Sequence, residues 1–383
     1  MDKFWSDEFW TPPVNPEFLS KLRTYLRERV IPLASHFDKE DIYPLEIVRE
    51  LAQLGFTRTL LPVEYGGSGD YRQSVAFFEE VGYASGSLAA SMIVNLQAQT
   101  MLRLFGSQSL KDLHIPRIGE GLALSYALTE MNHGSDIRSL DTKAVRDGDS
   151  WVLTGEKSFI TSGSAAELIV MLAETEVGVS VFAVPAGLPG CEPYVGEFSA
   201  TFGLRNGPHV NLRMRDVRVP LDHLIGQEGK GVRQAATTLS YSRTHTAGIC
   251  AGFARAAFDG ALERARSRVA FGQTVLEFQG IQWYFAEMFA DIESARALAY
   301  RAADALANGD EIDRYSSVAK WRSCQVATQV ALTAMQICGA YGTSDNTPFS
   351  RYVRDAKTYE IGAGSAEIMK NTIAKYISKK LER

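Results

Sequence analysis

Six histidines, at positions 36, 114, 133, 209, 223 and 245, could move protons near neutral pH, and their spacing forms no metal-ligand pattern. Each reads as a surface or satisfied core residue. Cys191, Cys250, Cys324 and Cys338 include no CxxC pair, so they read as reduced thiols rather than a disulfide framework or a zinc site. HExxH, GxSxG and the phosphate-cradling GxxxxGK[ST] are absent. Gly362-Ala363-Gly364 begins like a dinucleotide fingerprint, but Glu367 stands where the third glycine belongs and no strand pattern precedes it. Residue types alone assign no reaction.

The elements that must position any site fall into three stretches. Residues 1–117 read as helical: Asn15-Pro16 is a cap followed by proline, and Phe18, Leu22, Tyr25, Leu26 and Val30 recur at helical spacing. Pro44 opens a second amphipathic segment closed by Gly55, and further helices are predicted at about 70–84 and 86–105. Residues 118–226 carry short β-branched runs at 122–129, 140–146, 151–153, 168–173, 179–184 and 210–219. No helix-length pattern separates them, which predicts an antiparallel sheet or barrel rather than a parallel α/β sheet. Residues 227–383 return to helix, at about 231–268, 277–308, 312–341 and a last one ending near Lys380.

The 383 residues, 45% hydrophobic, suffice for two or three units with a substantial core. A net charge of −5 argues against nucleic acid, which would favour a basic surplus. No apolar stretch approaches the roughly 18 residues a bilayer span needs, so no membrane role is expected. The acidic, aromatic start MDKFWSDEFW does not read as a targeting peptide, and a cytoplasmic protein is expected.

Four stretches resemble the acyl-CoA dehydrogenase family, in order. They are Tyr126-Ala127-Leu128-Thr129-Glu130 with Gly134-Ser135-Asp136; Gly155 to Gly163; Arg268-Val269-Ala270-Phe271-Gly272 with Phe278-Gln279; and Gln336 to Gly342 with Arg354-Asp355-Ala356-Lys357. The resemblance implies an N-terminal helical domain, a middle β-barrel-like domain and a C-terminal four-helix bundle, assembled as a homotetramer or homodimer. It implies FAD. Tyr126, Leu128, Thr129, Gly134 and Ser135 would lie along the flavin, and Phe159, Ile160 and Thr161 would pack on its ring, with Thr161 near the nitrogen that accepts hydride. Arg268, Phe271, Phe278, Gln279, Gln336, Ile337, Gly339 and Ala340 resemble the segments gripping pyrophosphate and adenine, partly from a neighbouring subunit. Ser365 and Glu367 resemble the adenosine-side contact. Ser135, Arg243 and Gly364 would meet the thioester substrate.

Family members remove the substrate's α-proton with a glutamate at one of two places, which here hold Ala363 and Ser242. The Ile361–Gly364 wording resembles the isovaleryl-CoA dehydrogenase branch. Glu360, His245 and His133 are the candidate displaced bases. The resemblance thus implies an FAD-dependent oxidoreductase acting by hydride transfer from an acyl thioester, on coenzyme A or acyl carrier protein. Electrons would pass to an electron-transferring flavoprotein or oxygen. With no base in place, the alternatives are oxidation of a hydroxyl on a carrier-tethered acyl group, an oxygen-activating monooxygenase, or a non-catalytic FAD-binding subunit of a hetero-oligomer. No metal is expected.

Overall fold

The computed structural model describes residues 5–207 and 209–381. Its first part holds α1 (Trp5–Phe9), α2 (Pro16–Tyr25), α3 (Ala34–Glu40), α4 (Leu45–Gln53), α5 (Tyr71–Ala84), α6 (Gly86–Phe105) and α7 (Gln108–Gly119). Asn15 caps α2, its Oδ1 accepting from the N–H of Glu17 at 2.9 Å and Phe18 at 3.3 Å. Asp70 and Ser85 cap α5 and α6 in the same way. α7 carries little sequence signal, because Pro116 lies inside it and its apolar residues follow no clean stripe.

Seven strands form one curled sheet: β1 (Leu124–Ala127), β2 (Lys143–Asp147), β3 (Ser150–Ile160), β4 (Leu168–Thr175), β5 (Gly178–Pro185), β6 (Cys191–Tyr194) and β7 (Val210–Pro220). The order is β1-β4-β2-β3-β7-β6, with β5 also beside β4. Most pairs are antiparallel, but β2 meets β4 in parallel at Lys143↔Glu174, and β1 and β4 run parallel from Leu124↔Leu168 to Ala127↔Met171, so the sheet is mixed. The chain between them, which contains the β2–β3 hairpin, is the long crossover that parallel neighbours require. β6 escaped the sequence pattern because only Cys191 of its four residues is buried.

The last part is a helical bundle: α8 (Gly231–Ser267), a small hairpin of β8 (Val269–Ala270) and β9 (Gln273–Thr274), then α9 (Gln279–Asn308), α10 (Ile312–Cys338), α11 (Phe349–Ile361) and α12 (Ala366–Leu381). α9 starts later than periodicity suggested because Thr274 and Glu277 form a capping box on a short 3-10 turn ahead of it. α10 ends at Cys338 because Gly339 turns to φ +60°. α5 crosses α8 closely enough that a Cβ on Gly252 would lie 1.9 Å from Glu79 O. At that crossing fully buried Arg255 pairs with Glu79 at 2.6 Å and Glu80 at 2.9 Å, joining the first part to the bundle.

The sheet reaches the bundle through the loop before β7. Its Leu204 N–H donates to Asp355 Oδ1 at 2.7 Å, and a Cβ on Gly203 would meet Arg354 O of α11 at 2.2 Å. Burial raises the Asp355 carboxyl to about 6, against the Leu204 hydrogen bond that lowers it. An acid with a raised folded pKa contributes stability below its unfolded value that is lost as pH rises through about 6. Asp355→Asn keeps the acceptor and removes the buried charge. It is expected to stabilise the protein by about 1–3 kcal/mol at pH 8 and by far less at pH 4.5, read by denaturant melts at both values. Equal effects at the two pH values would refute it.

Candidate functional site

Two chain segments are stitched together on the sheet side. Ser158 N–H donates to Thr129 O at 2.9 Å, joining β3 to the segment that follows β1. Beneath them lies a buried ion pair. Lys157 Nζ donates to Glu130 Oε1 at 2.7 Å and to Leu128 O at 3.3 Å. Glu130 also accepts from the N–H groups of Asp141 at 2.6 Å and Thr142 at 3.1 Å. Burial alone would raise Glu130, but the Lys157 ammonium and these donors hold its carboxyl below the ordinary value. Burial pushes Lys157 down to about 8, with Glu130 opposing.

Above this pair the strand becomes irregular. The β3–β7 register slips between Lys157 and Ile160, and Phe159 adopts φ +57° and is 43% exposed. Such a conformation costs a phenylalanine on the order of 1–3 kcal/mol, and strain of this kind concentrates at functional sites. Half-buried Thr161 follows, with Oγ1 2.9 Å from His209 Nδ1 and its carbonyl accepting from Ser125 Oγ at 2.8 Å. Ile160 is buried beneath. Tyr126 Oη is buried without a hydrogen-bond partner, while Ser162 Oγ faces the Tyr43 hydroxyl. Gly134 has open space where a side chain would project, and Ser135 beside it is exposed.

On the bundle side, the turn after α11 is held by cations. Ala363 lies at φ +55° and Gly364 at φ +106°. Arg243 Nε donates to Ala363 O at 3.1 Å, while Lys320 Nζ donates to Glu360 O at 3.0 Å and Gly364 O at 2.7 Å. Three carbonyls are thus turned toward charged groups. Among the described residues no acceptor takes the Ala363 N–H. Burial lowers Arg243 to about 10, with Asp313 opposing, so it remains a cation at neutral pH. Its neighbour Ser242 is wholly buried and accepts from Gln97 Nε2 of α6 at 2.8 Å.

The three candidate bases are all committed elsewhere. Glu360 accepts from Thr328 Oγ1 on α10 and pairs with Lys357 at 2.9 Å. His245 faces α5, with Nε2 2.7 Å from Ser74 Oγ and Nδ1 2.7 Å from Tyr241 O, and burial lowers it to about 4. His133 Nε2 lies 3.2 Å from Asp141, and its backbone bridges to Glu130. Glu130, His133 and Asp141 place one potential ligand atom each within 4.8 Å of one another. Glu130 already spends its lone pairs on Lys157 and two N–H groups, so the cluster is a structural knot.

The remaining expected contacts form a second group. Arg268 follows α8 by one residue, 25 positions beyond Arg243, or about 37 Å along the helix. One chain therefore cannot close both groups on a single ring. Phe271 at the hairpin tip is 98% exposed, with Phe278 edge-on at 6.2 Å. Gln279, Gln336 and Ala340 are exposed, and Ile337 is buried. Gly339 has its missing Cβ position 3.4 Å from Arg268 Nη1, leaving the backbone bare beside a guanidinium. Ser365 precedes α12, where the Glu367 backbone N–H and, after it, the Ser365 hydrogen bond lower the Glu367 carboxyl.

These features fit FAD: an unpaired buried hydroxyl at Tyr126, an exposed aromatic held at positive φ, and a bare backbone beside Arg268 for an anion. Sequence reasoning missed Lys157, Lys320, Gln97 and His209 as residues of the site. A lone lysine or glutamine in a helix or strand reads as a solvated face, so periodicity carried no signal for the first three.

Profiles of the acyl-CoA dehydrogenase N-terminal, middle and C-terminal domains match residues 15–121, 125–217 and 229–378. The chain is 34% identical to the probable acyl-CoA dehydrogenase YngJ of Bacillus subtilis, over 94% of this chain and 96% of that one. Butyryl-CoA dehydrogenase from Megasphaera elsdenii superposes with a TM-score of 0.92 at 29% identity, over 96% of this chain and all of that one. The prolyl acyl carrier protein oxidase AnaB superposes at 0.90 and 27%, over 95% and 99% of the two chains.

Proposed function

The chain belongs to the acyl-CoA dehydrogenase family and is an FAD-dependent oxidoreductase of acyl thioesters, and on that premise we propose how its residues divide the work. Thr129, Phe159 and Thr161 form the wall against which the cofactor ring lies. Bound FAD would supply the two-electron acceptor. The thioester enters between that wall and the Ala363–Gly364 turn. The carrying observation is that turn: Arg243 and Lys320 hold its carbonyls, and the Ala363 N–H is left free to donate to the thioester oxygen. A fixed donor aimed at developing negative charge favours enolate-like character at the α-carbon.

No carboxylate stands at either glutamate position, and Glu360 is occupied. Beside Arg243, where one such glutamate would stand, the buried groups are neutral: the Ser242 hydroxyl and the Gln97 amide. A second reading follows from that pair, because the Gln97 Nε2 bond leaves the amide oxygen free to accept. A hydroxyl- or amine-bearing acyl group would satisfy it better than a plain hydrocarbon chain. Such a group could be carried on coenzyme A or on an acyl carrier protein.

The exposed hairpin carrying Phe271 supports assembly into a homodimer or homotetramer, in which Arg268, Gln279 and Gln336 reach a neighbour's cofactor. Four free thiols, none in a disulfide, suit a reducing cytoplasm. An electron-transferring flavoprotein or oxygen would take the electrons onward. Among the described residues no helix is long and apolar enough to cross a membrane.

Stopped-flow measurement of flavin bleaching across plain and polar acyl groups, each on coenzyme A and on carrier protein, tests this reading. Reduction by a member of the panel is expected, fastest with a polar acyl group. A protein that holds FAD yet is reduced by none would be a silent binding subunit. One that takes up no FAD would overturn the reading altogether.

A further inference from the structure

Thr161 has a partner whose chemistry is one-sided. His209 lies just before β7, buried, with Nδ1 2.9 Å from Thr161 Oγ1 and Nε2 3.3 Å from Leu204 O. Leu204 is held in turn at φ +58°, its N–H bound to Asp355 Oδ1 at 2.7 Å. A carbonyl oxygen can only accept, so the hydrogen of the imidazole belongs on Nε2 and Nδ1 presents a lone pair. Burial lowers the His209 pKa, which keeps the ring neutral at physiological pH. Thr161 must then donate its single hydroxyl hydrogen to His209. What remains on its other side is lone pairs.

We propose that His209 is a positioning residue that fixes the polarity of the Thr161 hydroxyl, making Thr161 a hydrogen-bond acceptor toward the flavin. This rests on the reading of Thr161 as a flavin contact. The ring nitrogen that takes up electrons accepts hydrogen bonds when the flavin is oxidised and carries an N–H when it is reduced. An acceptor fixed beside it favours the reduced form and offers nothing to the oxidised one. The chain from Asp355 through Leu204 and His209 to Thr161 thus couples α11 of the bundle to the redox balance of the cofactor. Residue 209 therefore influences the driving force for substrate oxidation through its hydrogen bond to Thr161.

The test is the two-electron midpoint potential of the FAD-loaded protein, measured by reductive titration without substrate. His209→Leu frees the Thr161 hydroxyl to donate to the oxidised ring. The reduced-to-oxidised ratio at fixed potential is expected to fall about three- to tenfold, a drop of about 15–30 mV at roughly 30 mV per decade. Thr161→Val removes the acceptor and is also expected to lower the potential. In the double variant the histidine change should add nothing. A Thr161→Val potential that rises would show the hydroxyl donating and overturn the proposal, and it decides the matter even should His209→Leu fail to fold. A shift with Thr161→Val but none with a folded His209→Leu would also overturn it. Should neither variant move the potential, the placement of Thr161 beside the flavin is what fails.

Discussion

Ser242→Glu is expected to raise flavin reduction by a plain saturated acyl-CoA by about 10²–10⁴-fold, the usual contribution of a positioned general base. Ser242 adjoins Arg243, whose Nε holds Ala363 O at 3.1 Å, so a carboxylate there is one residue from the group that shapes the thioester turn. Ser242 is wholly buried and already receives Gln97 Nε2 at 2.8 Å. A glutamate would inherit that donor while burial raised its pKa toward the range in which a base is effective. Ala363→Glu should gain less. The left-handed backbone already accepts a side chain there, but Arg243 and Lys320 bracket the turn and would depress the carboxyl, making it a weaker base.

Overpacking is the competing effect. Replacing a hydroxyl by a carboxymethyl group in a filled site costs roughly 1–3 kcal/mol. Ser242→Gln carries nearly the same volume without the base, so the ratio of the glutamate to the glutamine variant isolates proton abstraction. The gain should appear as pH rises through the new carboxyl's pKa. Equal rates for the two variants, both retaining FAD, would show that position 242 does not face the substrate's α-carbon.

Legibility from sequence followed the physics of each feature. Caps such as Asn15, Asp70 and Ser85 act on neighbouring N–H groups, so the helices they start were readable with nothing but local spacing. The parallel β1–β4 pair was not, because register across a long crossover depends on contacts between Leu124–Ala127 and Leu168–Met171 that no local pattern encodes. The flavin-wall segments were readable only as motifs. Composition around Phe159 does not announce a residue at positive φ. The commitment of Glu360 to Thr328 and Lys357 is tertiary, so sequence kept it open as a base until α10 was seen beside it. His209 looked like any of six scattered histidines until the loop before β7 brought it against Thr161.

Lys157→Met should be the most damaging single change on the sheet side. It leaves the shape of the side chain nearly intact and removes its charge, so Glu130 would remain buried with no counter-ion. Removing one partner of a buried pair typically costs about 3–5 kcal/mol. The loss here is also directional. Lys157 holds Leu128 O as well as Glu130, and Glu130 holds the N–H groups of Asp141 and Thr142, so the segments carrying Thr129 and Phe159 lose their common anchor. FAD retention should therefore fall along with thermal stability, seen as a protein that loses its yellow colour on gel filtration. The pH dependence gives the mechanism away. Glu130 has a lowered folded pKa, so the stability it contributes is present above its unfolded value and lost as pH falls through the folded one. In Lys157→Met that term reverses, since a lone buried carboxyl prefers its proton, and acidification to about pH 5 should recover part of the stability. The double variant Lys157→Met/Glu130→Gln should recover more of it at pH 7. A Lys157→Met protein as stable as the wild type at neutral pH would mean that the pair carries no net stability and that backbone bonds such as Ser158 N–H to Thr129 O hold the wall alone.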